Sequence, residues 1–222
     1  GSEPRFERRL RAPFSMNGRV WRCGRFELAL GRPLVMGVLN VTPDSFSDGG
    51  LHFDPQVAIA AARQMLADGA DIIDIGAEST RPGAAPVSAA EEWARLEPVI
   101  AGLQSLDRPL SVDTRRPAVM LRALGAGIDI VNDVEGFRSP EAVDALAGGS
   151  AGGVVMHMLG QPHTMQQAPV YRDVVVEVRQ FLEERTENLL QRGIEPARIC
   201  IDPGFGFGKT LEHNLRLLAR LD

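Results

Sequence analysis

Strand and helix signals that alternate along the chain with no hairpin between them predict an α/β fold built on a parallel sheet. Two further observations select a (β/α)8 TIM barrel over an open doubly wound sheet. Asn40, Glu78, Asp113, Asn132, His157 and Asp202 stand at or just past the C-terminal ends of six successive predicted strands, the catalytic face of a barrel. The stretch from Val35 to Gly50, VMGVLNVTPDSFSDGG, joins an apolar run to a loop dense in Thr, Pro, Asp, Ser and Gly. That is the form of a parallel strand, covered on both faces, which stops at a site. Asp and Asn also start turns, so some of these strand ends serve as caps.

The elements follow in order. Residues 3–34 are expected to form a cap, because RVWRCGRFELAL alternates as a hairpin turning near Cys23-Gly24. The predicted strands run Val35 to Asn40, Ile72 to Ala77, Leu110 to Asp113, Ile128 to Asn132, Gly153 to His157 and Ile199 to Ile201. Between them Asp54 caps a helix with Pro55 at its first position and Gly69 after its end. Ser88-x-x-Glu91 reads as a capping box ahead of Trp93, Leu96, Ile100 and Leu103, with a kink expected at Pro98. Ser139 precedes Pro140 in the same way. The VVVEV run looks strand-like, yet Val174, Val178, Phe181, Leu182 and Leu189 keep helical spacing from Asp173 to Arg192, and Gly193 ends it. Thr210 caps a last helix through Leu211, Leu215, Leu218 and Leu221.

Composition sets the outer bounds. The 222 residues, 44% apolar and 24% charged, suit a single globular domain over residues 1–222 and exclude disorder or fibre. A net charge of -5 argues against nucleic-acid and anionic-membrane partners, although a local basic pocket for a phosphorylated small molecule remains open. No apolar run has the length of a membrane span or a signal-peptide core. Cys23 and Cys200 lack CxxC spacing, which predicts reduced, buried thiols in a cytoplasmic protein. Gly1-Ser2 has the form of a protease-cleavage scar.

Several familiar chemistries fail on spacing. GFGFGKT, from Gly204 to Thr210, resembles a phosphate-binding P-loop, but the residue five before Gly208 is Pro203 where the pattern needs Gly. No GxGxxG follows the first strand. His52, His157, His163 and His213 show no zinc-binding spacing, and a His between Met156 and Met158 reads better as a packed strand residue. Paired carboxylates at barrel strand ends would suit a glycosidase, but aromatics are only 5% of the chain and Trp93 falls in a helix, leaving little for a sugar platform.

Two carboxylates and an amide in one pocket suit a flat heterocycle with a row of N–H donors: Asp113 and Asp202 accept, while Asn132 accepts and donates. Asn40, Thr80 and Arg81 lie on the loop side, suited to a phosphate group and its metal ion. In this order, NVTPDSFSDGG, ESTRPGA, SVDT, VND, VMHM and DPGFGFGK resemble the signature stretches of the dihydropteroate synthase family, over Val35 to about Leu221.

That resemblance implies a transferase that joins 6-hydroxymethyl-7,8-dihydropterin pyrophosphate to 4-aminobenzoate, with loss of pyrophosphate and with help from Mg2+. It carries pterin recognition onto Asp113, Asn132 and Asp202, with Met156 against the ring, and the metal and pyrophosphate contact onto Asn40. Thr80 and Arg81 match the second loop near the pyrophosphate. Phe46, Pro82 and Phe207 match the walls of the aminobenzoate pocket, which also receives sulfonamides. Lys209 is a further group able to help the leaving anion, and a homodimer is implied. A catalytically silent pterin-binding fragment and a pterin-dependent methyltransferase on a similar barrel are the alternatives; the TPDSFSDGG loop and Phe46 favour the synthase over the methyltransferase.

The family pattern also leads one to expect two more strands after DPGFGFGK, one ending in a Ser-Arg-Lys stretch and the last in an Arg-x-His stretch, so that only six of eight βα units are present here. A polypeptide ending at Asp222 is on that basis expected to lack measurable synthase activity and to aggregate.

Overall fold

Gly24, at φ +56°, turns strand β1 (Val20–Cys23) back into β2 (Phe26–Ala29), the antiparallel hairpin that the sequence predicts. The structure, a computed structural model, describes residues 18–42, 54–78, 87–160, 165 and 169–221. After the hairpin come six parallel strands: β3 (Met36–Asn40), β4 (Ile72–Gly76), β5 (Leu110–Asp113), β6 (Ile130–Asp133), β7 (Gly152–Met156) and β8 (Ile199–Asp202). Each pairs with the next in chain order, so they are six consecutive strands of the barrel class.

The helices form where capping residues allow them. Asp54 accepts from Gln56 N at 2.8 Å to start α1 (Pro55–Ala67), and Ser139 caps α4 (Pro140–Ala147). Ser88 caps α2 (Ala89–Leu103), but Glu91 reaches forward to Arg95 at 2.6 Å, so this box is one-sided. That helix continues through Pro98 to Leu103. Helix α3 (Pro117–Gly125) starts at its proline, and Asp173 starts α5 (Val174–Gln191), which confirms the helical reading of the VVVEV run. Thr210 and His213 cap α6 (Leu211–Leu218) reciprocally. Among the described residues no helix is long and apolar enough to cross a membrane.

Strand alternation separates two cores. Ile73, Ile75, Leu110, Val112, Val131 and Val155 face the helices and pack with residues such as Leu96, Ile100 and Met120. Ile72, Ile130 and Val154 face inward and pack on Trp21 and Cys23, so the hairpin plugs the end of the barrel opposite the site. Asp129, only 1% exposed, secures the plug: it accepts from Arg25 Nε and Nη2 at 3.0 Å each and from Leu110 N at 3.1 Å.

Leu39 is fully buried, but Val35 and Val38 are 54% and 57% exposed. Among the described residues β3 pairs with β4 and β8 with β7, and Ile201 on β8 is likewise exposed. Cys23 is buried and Cys200 half-buried, both as free thiols.

Asp129→Ala should therefore cost about 3 kcal/mol of stability, because it leaves a buried backbone N–H and a plug guanidinium without their acceptor. Urea unfolding monitored at Trp21 and Trp93 measures it. A loss within experimental error of zero would mean that the hairpin is held by apolar packing alone.

Candidate active site

Parallel register sets the inner-face row that makes the mouth of the barrel. Asn40 pairs with Gly76, Gly76 with Asp113, and Asp113 with Asn132, while Met156 pairs with Asp202 two strands on. Gly76 matters by having no side chain: a Cβ there would lie 3.3 Å from Asp113 Oδ2, so the carboxylate occupies the space above it. Four of the six predicted strand-end residues, Asn40, Asp113, Asn132 and Asp202, thus share one face.

The other two do different work. His157 is the residue after inward-facing Met156, so it points toward the helices, where its ring meets Phe181 edge-on at 5.0 Å between centroids. Burial first, and then the neighbouring Lys209 charge, push its pKa down to about 4. Glu78 accepts from Arg116 at 2.7 and 2.9 Å and from Arg115 at 3.1 Å; Arg116 also pairs with buried Glu92 at 2.7 Å and Arg115 with Glu135 at 3.1 Å. Burial pushes the Glu78 carboxyl up, but the bonds from Arg116 and then Arg115 outweigh it and hold the pKa down at about 2.

The mouth is acidic. Burial, then the charges of Asp74, Asp133, Glu92 and Glu78, drive the Asp113 pKa well above the usual carboxylate range, and among the described residues no hydrogen bond reaches its carboxylate. Asp74, 3% exposed on the inner face of β4, has its pKa raised by burial and accepts from Asn132 Nδ2 at 2.9 Å. Asp74 Oδ1 and Asn132 Oδ1 are buried with no hydrogen-bond partner among the described residues. Asp202 Oδ1 accepts from Gly204 N at 2.7 Å, which fixes the start of the following loop. Sequence reasoning missed Asp74, although an Asp inside the apolar run IIDIG was the available signal, and it missed the arginine network that RRP at 115–117 announces.

Beside these acids Met156 packs with Val134, Met158 and Met165, and Phe207 lies against them. The structure thus brings Met156 and Phe207 into one apolar cluster. Phe46, Thr80, Arg81 and Pro82 lie outside the described residues.

Lys209 departs from expectation. Its Nζ is buried, 3.0 Å from His157 Nδ1, and donates to the carbonyls of His157, Gly204 and Phe207 at 3.2, 2.9 and 3.0 Å. It stitches the loop after β8 to the end of β7 and is fully engaged there, unavailable to a leaving anion. Gly204 permits the close approach: a Cβ would lie 2.0 Å from His157 O, and φ is +66°. Burial lowers the Lys209 pKa to about 8.

Residues 36–222 match the family model described as pterin binding enzyme. A dihydropteroate synthase of Neisseria meningitidis serogroup C is 51% identical over 205 residues, covering 91% of this chain and 72% of its own. The crystal structure of Burkholderia cenocepacia dihydropteroate synthase complexed with 7,8-dihydropteroate superposes with a TM-score of 0.82 at 51% identity, over 91% of this chain and 70% of that one. Xanthomonas albilineans dihydropteroate synthase with 4-aminobenzoic acid gives 0.83 at 48% identity, over 91% and 72%.

Glu78 generates a pH prediction. Its folded pKa of about 2 lies below the ordinary 4.5, so its stabilising contribution is complete above pH 4.5 and is lost as pH falls toward 2. Glu78→Gln should lower stability at pH 7 and flatten the stability profile between pH 4.5 and 2 in urea titrations. A variant profile as steep as the parent's would remove Glu78 from the acid response.

Proposed function

Because the chain belongs to the pterin-binding enzyme family, as one of its dihydropteroate synthases, we propose that the barrel mouth is where this transferase holds 6-hydroxymethyl-7,8-dihydropterin pyrophosphate for attack by 4-aminobenzoate, giving 7,8-dihydropteroate and pyrophosphate. The observation that carries the site assignment is the acceptor-rich row itself. Asp113, Asn132 and Asp202 share the inner face, Asp113 takes no hydrogen bond from the described residues, and Asn132 Oδ1 is buried and bare. Such a slot takes a ring edge rich in N–H donors and favours positive charge on that ring.

In the reaction the bond from the substrate's exocyclic carbon to the pyrophosphate oxygen breaks, with its electron pair leaving on pyrophosphate. The cation left behind is spread over the pterin ring, where the Asp113 and Asp202 carboxylates stabilise it. The aminobenzoate nitrogen then bonds to the same carbon and gives up a proton. Met156 and Phe207 present the apolar wall against which the two rings stack. Phe46 and Pro82 complete the aminobenzoate pocket in this reading, Thr80 and Arg81 approach the pyrophosphate, and sulfonamides compete for the aminobenzoate position.

Mg2+ is the cofactor we infer. Asn40 offers an exposed neutral amide oxygen at the end of β3, and no cluster of three His, Cys, Asp or Glu side chains forms a metal cage among the described residues. That donor set suits Mg2+, which takes one or two protein oxygens and completes its shell with substrate phosphate and water. When bound, the ion supplies charge stabilisation to the departing pyrophosphate. The cytoplasm and a homodimer are the setting we infer from the family resemblance, and the free thiols of Cys23 and Cys200 agree with a reducing compartment.

Two substitutions test this reading. Asp202→Asn keeps an oxygen for Gly204 N but turns the other acceptor into a donor, and should cost about 3 kcal/mol of pterin binding in titration calorimetry with 6-hydroxymethylpterin. Unchanged affinity would remove Asp202 from the pocket. Asn40→Ala should weaken the pyrophosphorylated pterin in the presence of Mg2+ while leaving the bare pterin nearly unaffected; equal losses for both would reduce Asn40 to a strand-end role.

A further inference from the structure

Asp74 and Asn132 form a pair beneath the mouth of the barrel. Asp74 is the only charged residue in β4, whose other members are Ile72, Ile73, Ile75 and Gly76, and it is 3% exposed. Among the described residues it enters no ion pair, so a buried carboxylate is kept there without a cation. Asn132 Nδ2 donates to it at 2.9 Å across the intervening strand β5, on which the buried hydroxyl of Ser111, its register partner, also acts on the carboxyl.

An asparagine amide is nearly symmetric in shape, and what decides which end is oxygen is the network around it. A carboxylate accepts and cannot donate unless protonated, so Asp74 requires the nitrogen end of Asn132 on its side. Asn132 Oδ1, buried and without a partner, is left as the acceptor. Without the carboxylate either orientation of the amide would satisfy the floor of the pocket, and the mouth would no longer ask for one pattern of donors.

Resting on the assignment of the mouth to the pterin, we infer that Asp74 is a positioning residue: it holds the Asn132 amide in the orientation that makes the pocket select a heterocycle presenting an N–H donor to Asn132 Oδ1. It acts through Asn132 and needs no contact with the substrate.

In the unaltered protein, a through-hydrogen-bond scalar coupling should connect Asn132 Nδ2 to the Asp74 carboxyl carbon in a uniformly labelled sample. Its absence overturns the inference without any variant being made. Asp74→Asn should keep the parent's thermal midpoint or raise it, lose at least about tenfold in affinity for 6-hydroxymethylpterin, and move the Asn132 side-chain amide resonances. Asn132→Ala serves as the reference. If Asn132→Ala weakens the pterin while Asp74→Asn binds it as the parent does, the inference fails and the pocket assignment stands. If both variants bind it as the parent does, the pocket assignment fails and the inference with it.

Discussion

Register between parallel strands is the constraint on which the site depends. Side chains alternate along each strand, and the pairing of Asn40 with Gly76, of Gly76 with Asp113 and of Asp113 with Asn132 puts three polar residues level on the inner face, with Asp202 on that face two residues further along. A slip of one residue in β5 would turn Asp113 into the helix layer and bring Val112 into the mouth. The apolar residues on both faces prevent that slip, since Val112 packs under the helices and Ile72, Ile130 and Val154 pack on the hairpin plug. Burial in two separate cores therefore fixes the position of groups that belong to neither.

Charge is then divided between two zones. On the rim, Arg115 and Arg116 pair with Glu78, Glu92 and Glu135, so those acids are spent on structure. Inside, Asp74 and Asp113 have no ion-pair partner among the described residues, and both pKa values move upward. A pocket that holds uncompensated acceptors is ready to stabilise donors and developing positive charge, which is what breaking a bond to pyrophosphate on a pterin methylene requires. Lys209 belongs to the first zone despite its place in the site motif, because its ammonium is consumed by backbone carbonyls and His157.

Much of this was legible in the sequence. Alternation places all six strands within about two residues, and capping residues mark the starts of α1, α2, α4, α5 and α6, because local hydrogen bonds and burial patterns write themselves into spacing; α3, which starts at Pro117 with no side-chain cap, was not read. Asn40, Asp113, Asn132 and Asp202 were legible because strand ends in a parallel sheet converge. What was not legible depended on through-space partners. Glu78 and His157 occupy equivalent positions in the sequence pattern, but the first is claimed by two arginines from β5's end and the second by parity, one residue past an inward Met. Asp74 lay hidden inside an apolar strand, where its partner 58 residues away could not be read.

The most direct measurement is a crystal structure of the protein soaked with 6-hydroxymethylpterin. The account predicts the donor edge of the ring within hydrogen-bonding distance of Asp113, Asn132 Oδ1 and Asp202, with Met156 against its face. A pterin bound elsewhere, or in the mouth with its donor edge turned away from these three residues, would contradict it.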